Sequence, residues 1–256
     1  VIMESTYGDR LHRSEHDTID EMQMILRTAH EQKGNVLIPS FAVGRTQELL
    51  YLFKQHYEEW GLHNWHVFLD SPMAIEATTV YSRHKALHNK AAAKLWLSNN
   101  PEKVLPNLHF TRTAGQSMNL NKINSGAIII AGSGMCNGGR IRHHFKHNLW
   151  RSDCHIVMVG FQARGTPGRA LVDGARYLRL WGETVKVQAT IHTVGGLSAH
   201  ADQADLVNWF SHIENHPPLI LVHGETDAIT ALSEKIQQTS PQTDITIAQR
   251  GKTLQF

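Results

Sequence analysis

Three side chains able to carry acid–base or metal chemistry lie far apart in this 256-residue sequence. Glu4 follows the apolar residues 1–3, His200 lies in Leu197-Ser198-Ala199-His200-Ala201-Asp202, and His223 follows the apolar run 219–222. A histidine at the end of a strand is able to bind zinc or donate a proton, but it is also commonly a structural residue. Sequence spacing does not show that the three residues meet, so both interpretations stay open here.

The other histidines offer weaker candidates, although the chain has 18 in total. His143, His144 and His147 form a cluster predicted to lie on one helix, where His143 and His147 share a face. Their spacing is compatible with zinc, but no glutamate lies between them to act as general base. We therefore do not favour a metal site there. Solvated side chains are expected for His12, His16, His30, His56, His63, His66 and His88.

The composition restricts the class of protein. The net charge is only +2, so a nucleic-acid partner would have to be bound by a local patch. Cys136 and Cys154 are too few for a disulfide framework, which favours a reducing compartment such as the cytoplasm. The sequence has no apolar run long enough to span a membrane and no signal peptide, so we expect no membrane partner.

Apolar strands alternate with amphipathic helices along the chain. His200 and His223 are each expected where a strand ends in a loop, at the edge of a sheet. Most strands are continuously apolar, which is typical of an α/β fold with a largely parallel sheet flanked by helices. A helix over 85–97, one half-buried strand over 185–193 and short strands at 245–247 and 254–256 are also predicted. The main apolar strands are predicted at 35–38, 67–70, 127–131, 155–160 and 219–222.

Arg45 is the first candidate for phosphate binding. It follows Gly44 and begins an amphipathic helix, and a helix N-terminus with an arginine is able to hold a phosphate. The alternative is an ion pair between Arg45 and a nearby carboxylate such as Glu48. The sequence favours neither interpretation.

The glycine-rich run 132–139 is the second candidate. Gly132 and Gly134 match the first two glycines of a dinucleotide fingerprint, but Asn137 stands where the third is required. The run is either a tight turn that brings the backbone close to a neighbour or a nest of N–H groups around Ser133 and Gly134 that faces a phosphate.

Seven runs in a fixed order give the sequence a family resemblance. Together they resemble the β-CASP family of metallo-β-lactamase-fold nucleases, in particular its RNA-processing branch of bacterial and archaeal ribonucleases related to the pre-mRNA 3′-end cleavage nuclease. The likeness covers essentially the whole chain. The runs are Glu4-Ser5-Thr6-Tyr7-Gly8, Pro39 with 42–49, Asp70-Ser71-Pro72, Ser133-Gly134-Met135, Gly160-Phe161-Gln162 with Gly165-Thr166, 198–202, and His223-Gly224-Glu225.

The resemblance implies a role for each candidate. Glu4 would orient His200, and His200 would donate a proton to the leaving oxygen or stabilise the charged phosphorane. His223 would ligate one of two zinc ions, which favours RNA because a valine is common there in the DNA-repair branch. Ser198 would bind phosphate through its hydroxyl.

The sequence departs from the family in one respect: it has no His-x-His-x-Asp-His run. We therefore expect a C-terminal fragment of a zinc-dependent ribonuclease, with a β-CASP domain at 9–197 and residues 1–8 and 198–256 as the C-terminal part of a metallo-β-lactamase domain. The intact parent would hold two zinc ions. The fragment alone is predicted to bind none, to be inactive on RNA, and to self-associate as a homodimer through exposed apolar surface.

Two other functions remain open. A non-catalytic RNA-binding scaffold is the first, although such a protein has no need of Glu4, His200 and His223 together. A nucleotide-binding α/β module built on the run 132–139 is the second, and the missing third glycine counts against it.

Overall fold

The structure is a computed structural model that describes residues 1–95 and 100–254. They form two compact units, which we call the terminal unit (1–13 with 198–256) and the central unit (14–197). Residues 9–13 thus go with the terminal unit, whereas the expected domain boundary lay at 8/9. The elements in chain order are β1 (Ile2–Glu4), α1 (Glu15–Glu31), β2 (Val36–Pro39), α2 (Arg45–Gln55), β3 (His66–Leu69), α3 (Pro72–Arg83), α4 (Lys90–Leu95), β4 (Leu108–Phe110), α5 (Ala114–Leu120), β5 (Ala127–Ala131), α6 (Ile141–Asn148), β6 (His155–Met158), α7 (Pro167–Val172), β7 (Tyr177–Leu180), β8 (Glu183–Lys186), β9 (Thr190–Thr193), α8 (Gln203–Ser211), β10 (Leu219–Val222), α9 (Thr226–Thr239) and β11 (Ile245–Ile247).

The central unit is built on a parallel sheet of order β4-β3-β5-β2-β6-β9. One face packs against apolar residues of α1, α2 and α3, and the other packs against α6 and the hairpin β7–β8. Strands covered on both faces are continuously apolar, as the fully buried β5 shows. The predicted α/β fold with a largely parallel sheet is confirmed.

The terminal unit contains a smaller parallel sheet of order β1-β10-β11. Apolar side chains of α8 and α9 pack with Met3, Leu219 and Leu221 in its core. Although β1 and β10 are more than 200 residues apart in sequence, Glu4 pairs with Val222 in register. The carboxyl ends of both strands therefore lie at the same edge.

The single strand predicted over 185–193 is wrong. The chain forms β8 and β9 instead, and these belong to different sheets. β8 pairs antiparallel with β7 in a hairpin that the sequence reasoning missed, while β9 joins the edge of the parallel sheet beside β6. Alternation of apolar and polar residues continues through 187–189, so the pattern alone does not show where the chain leaves one sheet for another.

Most other predicted elements are present within a few residues of their expected bounds. Ser71 caps α3, because its hydroxyl accepts a hydrogen bond from the N–H of Ala74 at 3.3 Å, with Pro72 at the first helical position. The helix predicted over 85–97 is divided into a 3-10 turn at Lys85–Leu87 and α4, and its end lies outside the described residues. So do Gln255 and Phe256 of the predicted last strand.

The helices in the described part of the chain lack the combined length and apolar character needed to cross a membrane.

Candidate active site

Glu4 and His223 are brought together by the parallel pairing of β1 with β10. Glu4 is the last residue of β1, and His223 follows β10 with a left-handed backbone (φ 54°). The next residue must be small, because a Cβ on Gly224 would lie 2.5 Å from the carbonyl oxygen of Ser5. Close packing of the two loops thus aims both side chains at one sheet edge.

His200 reaches the same edge through the loop that precedes α8. Asp202 caps α8, since its Oδ1 accepts a hydrogen bond from the N–H of Asp205 at 2.9 Å. Asp202 also forms an isolated bridge with Tyr7. A helix cap and a bridge to the segment after β1 therefore fix the position of His200 opposite Glu4.

Thr6 connects the three candidate residues. His200 Nδ1 lies 3.1 Å from Glu4 Oε1 and 3.3 Å from Thr6 Oγ1, and His223 Nδ1 lies 3.1 Å from Thr6 Oγ1. Because the Thr6 hydroxyl donates its proton to the carbonyl oxygen of His223 at 3.1 Å, it accepts from the two rings. The imidazole rings are stacked with centroids 5.4 Å apart.

The carboxylate of Glu4 is held in its charged form. Partial burial by itself raises the pKa of Glu4, but hydrogen bonds from Thr6 and His200 outweigh this effect and lower the pKa below its ordinary value. An ionised carboxylate only accepts hydrogen bonds, so His200 carries its proton on Nδ1. The second ring nitrogen, Nε2, is then free of the contacts with Glu4 and Thr6.

The donor set fits part of a zinc site. Among the described residues, Glu4, His200 and His223 form the single group of three or more potential ligands whose donor atoms lie within 4.8 Å of one another. Imidazole nitrogen and carboxylate oxygen are normal zinc ligands, and a catalytic zinc typically uses about three protein ligands. The group is therefore sufficient for at most one zinc ion, and a dinuclear centre requires further donors.

Ser198 lies at the same site but points to the backbone. Its hydroxyl oxygen accepts a hydrogen bond from the N–H of His200 at 3.2 Å, which helps to shape the loop. The hydroxyl proton stays available for an acceptor such as a phosphate oxygen.

Sequence reasoning missed two residues of this site. Thr6 was part of a recognised run but had no assigned role, although it is only 4% exposed and contacts both histidines. His12, expected to be solvated, is half-buried, and its Nε2 donates to the carbonyl oxygen of His200 at 2.8 Å. A hydroxyl next to an acidic strand end was the available signal for Thr6, whereas nothing local marks His12.

The structure also corrects the expected solvation of other histidines. His56 and His88 are also half-buried, through stacking on Trp60 and a hydrogen bond to the carbonyl oxygen of Tyr81 respectively. His16, His30, His63 and His66 are exposed as expected. In the cluster on α6, His143 and His147 are exposed but His144 is fully buried.

The remaining candidates, Arg45, Ser133 and Gly134, belong to the central unit. Arg45 forms an ion pair with Glu48, and its side chain is only 7% exposed. Of the two interpretations that the sequence left open, the structure thus contains the ion pair. Burial raises the pKa of Glu48, and this effect exceeds the opposite influence of Arg45.

Ser133 and Gly134 lie in a tight turn after β5. A Cβ on Gly134 would lie 2.7 Å from the ring of Phe41, which explains the need for glycine. The N–H of Ser133 donates to the carbonyl oxygen of Gly138 at 3.1 Å, and the Gly134 carbonyl accepts from Gln162 at 2.8 Å. Among the hydrogen bonds formed within 1–95 and 100–254, none uses the N–H of Gly134 as donor.

Two family models match the chain. One, described as the Beta-Casp domain, covers residues 46–171 of the central unit. The other, described as the Zn-dependent metallo-hydrolase RNA specificity domain, covers residues 184–248. The second match contains His200, His223 and Ser198 but not Glu4.

Curated relatives extend the likeness over nearly the whole chain. Ribonuclease TTHA0252 of Thermus thermophilus is 37% identical over 91% of this chain, which spans 53% of that protein. Transcription termination factor FttA of Methanococcus maripaludis is 30% identical over 88% of the chain and 36% of its own length. FttA of Pyrococcus horikoshii is 28% identical over 93% and 38% respectively. The chain thus spans about half or less of the length of these relatives.

Proposed function

Because this chain belongs to the β-CASP family of metallo-β-lactamase-fold RNA nucleases, we propose that it supplies part of the active site of a zinc-dependent ribonuclease that hydrolyses RNA phosphodiester bonds. The observation that carries the proposal is the meeting of Glu4, His200 and His223 at one sheet edge. When bound, zinc supplies a water that ionises near neutral pH and neutralises charge on the phosphate oxygens.

His200 is the proposed general acid. Glu4 binds its Nδ1 at 3.1 Å, so Nε2 is the nitrogen left to reach the substrate. The leaving ribose oxygen needs a proton, and only the doubly protonated imidazolium form supplies it: one proton stays on Nδ1 toward Glu4, and the second passes from Nε2 to the leaving oxygen. Glu4 thus acts as the positioning residue for His200.

His223 is the proposed zinc ligand. Thr6 and the left-handed backbone fix its ring, and Nδ1 contacts the Thr6 hydroxyl, so Nε2 is left to bind metal. Direct ligation of one zinc by Glu4, His200 and His223 together is the competing arrangement. Because the chain alone is proposed to bind no zinc, the test uses the chain joined to a segment that carries the missing ligands. There His200→Ala should leave the zinc affinity unchanged only if His223 alone of the two histidines is a ligand.

The 256-residue chain by itself is proposed to be inactive. A dinuclear centre needs more donors than the three that meet here, and the rest must come from a segment outside these residues. Incubation of end-labelled RNA with the chain and added zinc should give no cleavage above a protein-free blank. Turnover that disappears in His200→Ala would overturn this part of the proposal.

RNA binding is proposed to survive without the complete metal site. Ser198 offers a hydroxyl, and the turn at Ser133 and Gly134 offers a backbone N–H for phosphate oxygens. Arg45 joins them only if its guanidinium exchanges Glu48 for a phosphate. The affinity for single-stranded RNA should fall linearly in a plot of log K against log salt, with a slope of about −0.7 for each phosphate neutralised.

A non-catalytic RNA-binding scaffold is the second candidate, favoured by the incomplete donor set. Joining the chain to a segment that carries the missing ligands separates the two functions. The joined protein would cleave RNA if the chain supplies part of a ribonuclease active site, and it would not if the chain is a scaffold. A homodimer is also proposed, since Ile2 and Ile247 on the edge strands β1 and β11 are 65% and 40% exposed. A cytoplasmic location stays a prediction.

A further inference from the structure

The hairpin β7–β8 of the central unit presents aromatic and basic side chains on one surface. Its strands are joined by the two-residue turn Trp181-Gly182, and both residues have positive φ (47° and 85°). Leu178, Leu180 and Val185 point inward and are buried in the apolar cluster that covers the parallel sheet. The inward face therefore anchors the hairpin, and the outward face is free to carry a different function.

The outward face combines an aromatic ring with cations. Tyr177 lies opposite Lys186 and Arg179 lies opposite Thr184, and all four are exposed. Tyr177 is 61% exposed, which is high for a side chain with a large apolar ring. Arg179 and Lys186 form no ion pair with any residue that the structure describes.

Trp181 stands at the tip of this face. It is 52% exposed, so core packing does not explain a tryptophan there, and a left-handed backbone is unfavourable for such a bulky residue. Two residues of α6 hold the ring: the Arg142 guanidinium lies 4.5 Å from its centroid, and the His143 ring stacks on it at 4.4 Å. The indole is thus oriented while about half of its surface stays open.

The charge on this face is positive. Glu183 is the acidic residue of the hairpin, and its carboxylate already pairs with Lys146 at 2.7 Å. Tyr177 and Arg179 lie on the outward face of β7, and Trp181 follows in the turn directly after this strand. Along the chain, a cation thus lies between the two aromatic residues.

We propose that the outward face of β7–β8 is a platform for single-stranded RNA, on which bases stack on Tyr177 and Trp181 while Arg179 and Lys186 contact phosphates. Aromatic rings alternating with unpaired cations complement a chain that alternates bases with phosphates, whereas a protein surface of ordinary composition would leave these cations unmatched. The inference rests on the proposed RNA function and assigns a second place on the molecule where the strand is held.

The test measures binding of a fluorescein-labelled single-stranded RNA to the full chain by fluorescence anisotropy at several salt concentrations. Trp181→Ala should weaken binding about 5-fold to 100-fold without changing the salt slope, because stacking is lost but no cation is removed. Trp181→Phe should restore most of the affinity. Arg179→Ala and Lys186→Ala should each reduce the magnitude of the salt slope by about 0.7.

Trp209→Ala is the matched control. Trp209 is 53% exposed but lies on α8 of the terminal unit, and in the part of the chain that the structure describes no arginine or lysine lies over its ring, so its removal should leave RNA binding unchanged. If Trp181→Ala fails to fold by circular dichroism, Tyr177→Ala on the exposed strand face replaces it. The expected loss is again about fivefold or more.

The outcomes separate this inference from the proposed function. Wild-type binding that is equally strong in Trp181→Ala, Tyr177→Ala and Trp209→Ala overturns the platform and leaves the RNA function standing. No RNA binding by the wild type overturns both. Concentration-dependent dimerisation that is lost in Trp181→Ala, with RNA affinity unchanged, would identify the face as a protein interface and also overturn the inference.

Discussion

Two carboxylate–histidine pairs in this molecule use the same chemistry in opposite environments. In the terminal unit, Glu4 lies 3.1 Å from His200, and their side chains are 28% and 37% exposed. In the central unit, Asp70 lies 2.6 Å from His144, and both side chains are fully buried. The first pair is open to a substrate, whereas the second is sealed inside the fold.

In the buried pair, both carboxylate oxygens of Asp70 and both ring nitrogens of His144 have hydrogen-bond partners within the protein. Asp70 accepts from Ser117 at 2.6 Å, from Arg140 at 2.8 Å and from the Thr111 hydroxyl. The other nitrogen of His144, Nδ1, lies 3.1 Å from Asn121 Oδ1. Burial raises the pKa of Asp70, but the hydrogen bonds from His144, Ser117 and Thr111 outweigh it and lower the pKa to about 2.

The difference shows how a structural pair is distinguished from a functional one. At Asp70 and His144, both ring nitrogens and both carboxylate oxygens have protein partners. At His200, Nδ1 is bound by Glu4 and Thr6, whereas Nε2 is not part of that network. The available nitrogen, not the pairing itself, points to chemistry.

Asp70→Asn should have the largest effect on stability. It removes the fully buried carboxylate that binds His144 and the partly buried Arg140, and breaking such a buried pair typically costs about 3–5 kcal/mol. Urea unfolding measures the loss in the free energy of unfolding. Glu4→Gln is the control and should cost below about 1 kcal/mol, since its pair is partly solvated. Equal losses in the two variants would remove the distinction between the pairs.

A pair of two histidines, His155 and His192, extends the comparison to the dependence of stability on pH. Burial and the neighbouring His192 lower the pKa of His155 to about 4. The unfolded chain therefore takes up a proton near the ordinary pKa of about 6.5, before the folded protein does, and stability falls as the pH drops from there to about 4. The loss should be on the order of 3 kcal/mol. In His155→Gln, the free energy of unfolding should depend less steeply on pH over this range, by the equivalent of one proton. An unchanged slope would contradict the assignment.

Thr6→Val should have a smaller effect. The hydroxyl donates to the His223 carbonyl and contacts both rings, so its removal leaves buried polar groups without a partner at a cost of about 1–2 kcal/mol. Thr6→Ser retains the hydroxyl and should keep most of the stability. Chemical denaturation of both variants measures the difference, and a Val variant as stable as wild type would show that Thr6 does not organise the site.

The sequence predicted a largely parallel sheet because β2, β5 and β10 are continuously apolar and alternate with helices along the chain. The hairpin β7–β8 was missed because a two-residue turn with positive φ at both residues usually has asparagine, aspartate or glycine at its first position, where this chain has Trp181. The three-residue site followed from the order of the family's runs, not from any local pattern.

Other features depend on contacts that no local pattern encodes. Asp70 and His144 are 74 residues apart, so a histidine on an apparently polar helix gives no sign that it is buried against a carboxylate. His12 likewise owes its contact to the bridge between Tyr7 and Asp202, which is visible only after folding.

RNA cleavage by this chain, joined to a segment of a longer relative that carries the remaining metal ligands, is the most direct test of the exposed pair. We predict that the joined protein cleaves RNA in the presence of zinc, and that His200→Ala lowers kcat by about 100-fold to 10,000-fold while RNA affinity is unchanged. His16→Ala, which removes an exposed histidine of the central unit, should have no effect. Equal cleavage by the joined protein and its His200→Ala variant would contradict the role of the Glu4–His200 pair.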